Sequence, residues 1–210
     1  MQVEIIGSTR AAGRRWRSDG TIIVMPLTDA EQAHRAAALM AKRAGAPGLI
    51  IGVHDDKRDG FISIANRVFE NSDSPWFGYV AQDAYPGREW LANALNAFDK
   101  PETHLVAFND GKWFGKLAAF GLVRRTWAES NYAGRLFFPA YQRHYADTEL
   151  TLIAVEQKGL DYAADSVLVE VDWEKDAKAV SEDDRRLFKA RASGGFDGKV
   201  TSVVLKMRFS

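Results

Sequence analysis

The sequence predicts an α/β fold: a single domain with a mainly parallel central sheet flanked by helices. Three strand-then-helix units follow one another before residue 100, an order that builds parallel sheets through right-handed crossovers. The 210 residues suffice for one substantial core and are short for two. Short apolar runs rich in Ile and Val end in Gly, Pro or Asp instead of extending to helical length.

In the first unit, residues 21–27 form a β-branched run. Thr28 and Asp29 then offer a cap for an Ala-rich helix over 30–44, which Gly45 and Pro47 stop. In the second, the apolar run 48–54 is closed by Asp55, Asp56 and a charged turn, and helical spacing resumes at Ile62, Ala65, Val68 and Phe69. The third places a strand at 76–81 and a helix at 87–98. Beyond it, 104–108 and 118–123 read as strands beside aromatic, Gly-punctuated loops at 109–115 and 131–141. A helix at 148–157 stops at Gly159, a strand follows at 166–171, a charged helix at 181–192 and a terminal strand at 200–209. Residues 1–20 read as an N-terminal arm, and 174–210 as a C-terminal helix and strand.

Composition narrows the function classes. Twenty-eight basic and twenty-eight acidic side chains cancel, so charge gives no argument for nucleic acid as a partner. Absence of cysteine excludes disulfides and thiolate metal sites and suits a reducing cytoplasm. No apolar run approaches the roughly 18 residues of a transmembrane segment. The expected location is cytoplasmic, with peripheral attachment to a membrane as the alternative. Neither a GxGxxG nor a P-loop lysine motif occurs, nor a GxSxG elbow.

Two acids stand out. Asp83, in the stretch YVAQDAYPGREWL, ends an apolar run just before Pro-Gly, at the exposed carboxyl end of a strand where open α/β sheets hold ligands. Capping the following turn is the plainer alternative. Asp147 opens the helix-like run that continues through Leu150 and Ile153, as an N-cap or as a proton acceptor, two roles that do not exclude each other. Asp55 and Asp56 can accept hydrogen bonds from ribose hydroxyls or a base edge, or simply face solvent. His54 and His144 flank these acids without metal-ligand spacing. Arg10, Arg14, Arg15 and Arg17 form a basic patch able to meet a phosphate, or a solvated arm.

Taken in order, these features over residues 21–173 resemble family 2 glycosyltransferases, whose glycosyltransferase A fold binds nucleotide sugars. YVAQDAYPGREWL looks like the segment of that family that carries its metal-binding acids, and YQRHYADTELTLIAVEQKG looks like its catalytic-base segment. The resemblance implies an inverting transfer of a sugar from a nucleotide diphosphate sugar, with UDP-sugars favoured, to an acceptor hydroxyl. It places Thr28, Asp29, Asp55, Asp56 and Asn66 at the nucleotide and Asp147 as the catalytic base. A divalent cation, Mn2+ or Mg2+, would be held by Asp83 and by Asp172, the latter where the family often has a histidine. Glu149, Trp113, Arg185 and Arg191 would serve the acceptor or a lid. Only one customary acid remains in Gln82-Asp83-Ala84. That thinning motivates the alternative of a degenerate protein of the same fold that binds a nucleotide, a sugar or a partner without turnover. A nucleotidyltransferase and an aromatic interaction module are further alternatives. The acceptor, whether glycan, lipid or protein, is not specified by the sequence.

Overall fold

Thr21–Leu27 is buried along its whole length in the computed structural model, which describes residues 1–171 and 180–209. Its alternate side chains serve two cores: Ile22 and Val24 on one face, Ile23, Met25 and Leu27 on the other. A strand covered on both faces has no need of a polar side, which is why its sequence reads as continuous apolar residues.

The elements follow in chain order. The strand β1 (Gln2–Gly7) leads into a short α1 (Ser8–Ala11), β2 (Trp16–Arg17), β3 (Thr21–Leu27) and α2 (Ala30–Arg43). Next come β4 (Gly48–His54), α3 (Phe61–Glu70), β5 (Ser72–Asp73), β6 (Trp76–Tyr79), β7 (Ala84–Pro86) and α4 (Trp90–Asn96). The second half carries β8 (Leu105–Asn109), β9 (Gly121–Arg124), α5 (Arg125–Asn131), α6 (Ala146–Glu156), β10 (Leu160–Glu170), α7 (Glu182–Ser193), α8 (Gly195–Gly198) and α9 (Val203–Met207).

Among the described residues the main sheet has eight strands, in the order β1-β4-β3-β6-β9-β8-β10-β7. The β1/β4, β3/β4, β3/β6 and β8/β10 pairs are parallel. Only β9, against both its neighbours, and β7, against β10, run antiparallel. Helices α3, α5, α6 and α7 supply buried residues to the core on one face, and α2 and α4 to the core on the other. The mainly parallel sheet flanked by helices that the sequence predicts is therefore the observed one.

Several segments differ from the expectation, among them the short strands β2, β5 and β7 and the helix α5, which the sequence reading did not separate from their loops. Residues 2–7, read as part of an arm, form an edge strand in parallel register with β4, from Gln2 opposite Leu49 to Gly7 opposite His54. The basic patch beyond it is tied down: Arg14 pairs with Glu4, and Arg17 with Asp73. The final strand begins at Leu160 rather than at 166, and a register shift between Ala163 and Val167 hides its start. The terminal run is a helix, not a strand. Ser202 caps it by accepting from the Leu205 N–H, and among the described residues no strand pairs with its β-branched Val203 and Val204. No helix of the described residues is long and apolar enough to cross a membrane.

Candidate functional site

The parallel register places the carboxyl ends of β4, β3 and β6 side by side. Leu27 sits opposite His54, the Asp55 N–H donates to the Leu27 carbonyl at 2.8 Å, and the Val80 N–H donates to Val24 at 3.1 Å. The loops leaving these three ends line a cavity of about 560 Å³ that includes Thr28, Asp55, Gln82 and Asp83. Three separate stretches of sequence thus meet at one edge of the sheet, the usual ligand position in open α/β folds.

Gln82 shapes that edge. Its Oε1 accepts from the backbone N–H groups of Thr28 and Asp29 at 2.7 and 3.0 Å. Its Nε2 donates to Gln32 Oε1 at 2.8 Å. An acid at this position cannot donate, so the amide does what a second carboxylate would not. The Asp29 carboxylate caps α2 through the Gln32 N–H at 3.0 Å and is exposed. It does not line this cavity, and its expected place at the nucleotide stands beside that capping role. Asp55 stays in the wall, while its two oxygens accept from the Asp59 and Gly60 N–H groups at 2.7 and 3.0 Å and so fold the turn before α3. Gly60 has φ 84 and ψ 160, a combination open in practice to glycine alone.

Asp83 is nearly buried, at 6% exposure. Beyond it β7 pairs with β10, so Glu170 lies opposite Ala84, and the Val171 N–H donates to the Asp83 carbonyl at 3.2 Å. Asp83 and Glu170 consequently line the same cavity. Asp172, expected as a second metal ligand, lies outside the described residues. Among the described residues no cluster of three potential ligands forms, but Asp83 and Glu170 are two hard oxygen donors on paired strands.

A second cavity, of about 510 Å³, adjoins the first and shares Phe61, Arg143, His144 and Glu170 with it. Asp147 and Trp113 lie in its wall. Asp147 is the second residue of α6, whose N-cap is Tyr145 at φ 68 with no capping side chain. The N-cap position is therefore not Asp147 itself, although its carboxylate still meets an N–H of the first turn. Its Oδ1 accepts from the adjacent Thr148 N–H at 2.8 Å. Burial pushes its carboxyl up to about 6, against the opposing pull of the Thr148 hydrogen bonds. Beside it, the buried Tyr79 hydroxyl donates to the Ala118 carbonyl at 2.8 Å, and its pKa is driven up by burial and then by the Asp147 charge.

Other expected site residues are engaged elsewhere. Asp56 turns away from the cavity, accepts from the Ser8 hydroxyl, and is held below the usual carboxylate range chiefly by that bond. Asn66 is nearly buried and meets Phe137 with both ends of its amide: Nδ2 donates to the carbonyl at 3.1 Å and Oδ1 accepts from the N–H at 2.8 Å. Such a closed pair ties α3 to the aromatic loop. Glu149 is fully buried. It accepts from Tyr132 at 3.0 Å, from Tyr141 at 2.9 Å and from both Nε and Nη2 of Arg191. Arg191 also pairs with Asp197 and lies over the Phe138 ring, and neither it nor Glu149 lines either of these two cavities. Arg185 pairs with Glu182 at 3.0 Å and reaches the Tyr145 hydroxyl at 3.4 Å from behind the wall. Glu149 and Arg191 thus join α6 to α7, whereas Arg185 sits in an exposed pair; the sequence signature of a charged helix is the same whether its charges face a cleft or a neighbouring helix.

Sequence reasoning missed Gln82, Glu170 and Arg143, and it left His144 as a scattered histidine. Arg143 and His144 immediately precede α6 in the same segment as Asp147, so proximity was the available signal.

No family model and no curated protein matches the sequence. Among solved structures, TarS of S. aureus aligns with a TM-score of 0.62 at 12% identity, over 83% of this chain and 39% of that one. TarS 1–349 in complex with UDP-GlcNAc aligns with a TM-score of 0.56 at 11% identity, over 83% of this chain and 66% of that one. The mannosyltransferase PcManGT from Pyrobaculum calidifontis, in complex with GDP-Man and Mn2+, aligns with a TM-score of 0.55 at 13% identity, over 88% of this chain and 66% of that one. The chain thus spans between 39% and 66% of the length of these structures. At such identities the likeness is one of fold: the α/β architecture with a mainly parallel sheet flanked by helices is shared with these structures.

Proposed function

We propose that the protein transfers a sugar from a nucleoside diphosphate sugar to an acceptor hydroxyl, with inversion at the anomeric carbon. The observation that carries this reading is the pair of adjoining cavities at the carboxyl ends of the parallel strands, one bearing Asp83 and the other Asp147. A donor and an acceptor must meet across such a boundary. The fold supports the same class, since one structure that shares it is a mannosyltransferase with GDP-Man and another holds UDP-GlcNAc. These two carry different bases, so the UDP preference stands as a proposal beside GDP.

In this reading the nucleotide lies along Thr28 and Asp55, and Asp147 is the general base. The acceptor oxygen forms its bond to the anomeric carbon as the bond to the diphosphate oxygen breaks. The electron pair leaves with the diphosphate, and the acceptor proton passes to the Asp147 carboxylate. A carboxyl raised to about 6 is still ionised at neutral pH and is a better proton acceptor than an ordinary aspartate. Trp113 and its aromatic neighbours offer the acceptor a stacking surface. Asp83 and Glu170 would hold a divalent cation: Mg2+ is commonly bound by one or two carboxylates together with substrate phosphates, and two carboxylates are what the wall supplies. When bound, such an ion neutralises charge on the departing diphosphate. A cytoplasmic location belongs to the same reading.

The test is calorimetric titration of UDP- and GDP-sugars with and without Mn2+, followed by assay for nucleoside diphosphate release with candidate acceptors. Metal-strengthened binding with release supports transfer; absence of any donor binding overturns the proposal. A second reading, a binding protein of the same fold without turnover, is favoured by one observation: the Gln82 amide holds the Thr28 turn in place of a second acid. It predicts donor binding and no release.

A further inference from the structure

The turn that carries Arg143 and His144 is held by one buried carboxylate. Asp184, 1% exposed on the first turn of α7, accepts from the backbone N–H groups of Gln142, Arg143 and His144 at 2.9, 2.9 and 3.0 Å. Three amides converging on one acid fix the path of the turn, because each is a charge-assisted bond inside the protein. The clamp is itself anchored: the Ser181 hydroxyl accepts from the Asp184 N–H at 3.2 Å. The Ser181 N–H in turn donates to His144 Nδ1 at 3.3 Å, which leaves Nε2 as the N–H of a neutral ring. On its far side the turn ends at Tyr145, which stacks on Phe188 with ring centroids 4.9 Å apart.

The product of this fixation is two cationic or polar side chains on the wall common to both cavities. The remaining charged groups of those walls are mostly acids: Asp55, Asp83 and Glu170 in the first, Asp147 and Glu170 in the second, where Lys112 is a further cation that the first cavity does not share. An anionic ligand entering a cleft of that composition needs cations at a defined place. We propose that Arg143 and His144 bind the diphosphate of the donor at the junction of the cavities, and that Asp184 is the residue that positions them. This rests on the transfer reading above, in which the bond that breaks joins the diphosphate, in the first cavity, to the sugar attacked from the second. A planar guanidinium suits phosphate oxygens through paired N–H groups, and the His144 Nε2–H adds a donor. The arrangement supplies positive charge where the acidic segment Gln82-Asp83-Ala84 supplies one carboxylate.

The experiment compares the affinities of UDP and GDP with those of UMP and GMP, by calorimetry in the presence of Mn2+, for the full chain and for Arg143→Ala, His144→Gln and Asp184→Asn. The terminal phosphate is the difference between each pair of ligands. The expected result is a loss of diphosphate affinity of about ten- to a hundredfold in Arg143→Ala and a smaller loss in His144→Gln, with monophosphate affinity little changed. In Asp184→Asn the same ratio should fall although neither side chain has been touched. Parallel losses for both ligands, or unchanged diphosphate affinity, overturn the inference and leave the transfer reading standing. Failure of the unaltered chain to bind any of these nucleotides overturns both. Arg143 is exposed, so Arg143→Ala folds and decides the matter even where Asp184→Asn does not, and Arg143→Lys should recover part of the loss.

Discussion

Glu149 and Arg191 form a buried bidentate ion pair, with Nε 2.8 Å from Oε2 and Nη2 2.7 Å from Oε1. The pair joins α6, which carries Asp147, to α7, which carries Asp184. Its energetic meaning is asymmetric: removing one partner leaves the other charge buried. Arg191→Met is expected to lower unfolding stability by about 3–5 kcal/mol, read by urea denaturation. Arg185→Ala, which touches an exposed pair, should cost about 1 kcal/mol or less. Equal effects would show that the Glu149 node does not hold the helices together.

Asp147→Asn separates catalysis from stability. Loss of the proton acceptor should reduce transfer by about 10² to 10⁴. Stability should move the other way. The native carboxyl, at about 6, binds protons more readily than the ordinary aspartate value of 3.8, so its stabilising contribution is complete below about 4 and is lost as pH rises through about 6. At pH 8 the wild type carries a half-buried, partly desolvated charge that asparagine lacks, and the variant should be more stable by on the order of 1–2 kcal/mol. Near pH 5 that advantage should shrink. Urea unfolding at both values checks the sign; a destabilised variant at pH 8 would return Asp147 to a capping role.

The same group sets the pH dependence of turnover. Transfer by the unaltered chain should rise through a limb near pH 6 and level above it, as the base ionises. A rate that falls over this range would remove Asp147 as the base.

Metal dependence is expected to reside in Asp83. In Asp83→Asn the strengthening of donor binding by Mn2+ should drop by at least about tenfold, since a neutral amide is a poorer ligand for a hard cation. Calorimetry with and without the ion measures the ratio, and an unchanged ratio places the ion elsewhere.

Gln82→Ala removes an acceptor shared by two backbone amides and a donor to Gln32. A loss of about 1–3 kcal/mol in stability is expected, together with weaker donor binding, because the Thr28 turn forms the cavity edge. Gln82→Glu keeps the acceptor and should preserve the turn better than alanine.

Much of the fold was legible in the sequence. The units at 21–44, 48–69 and 76–98 announce themselves through local signals: β-branched runs, an Asp29 cap, a Gly60 break, and helical spacing of apolar residues. Such signals act over a few residues and survive in the linear chain. The strand at 2–7 escaped notice because Gln2 and Glu4 interrupt its apolar residues, as befits an edge, and its partner is nearly fifty residues away. The terminal run misled because its valines favour strands only when a neighbouring edge exists.

The site divides in the same way. By itself the sequence determined that Thr28, Asp55 and Asp83 stand at strand ends and that Asp147 begins a helix, since each follows from its immediate neighbours. Only the tertiary structure decided which carboxylates face a cavity. Asp55 and Asp56 are adjacent, yet one lines the cleft and the other accepts from Ser8. Glu149 lies two residues from Asp147, yet it is fully paired in the interior. The direction of a side chain, and whether a partner from a distant element has already met its charge, depend on packing between segments far apart in the chain, and no local pattern records that.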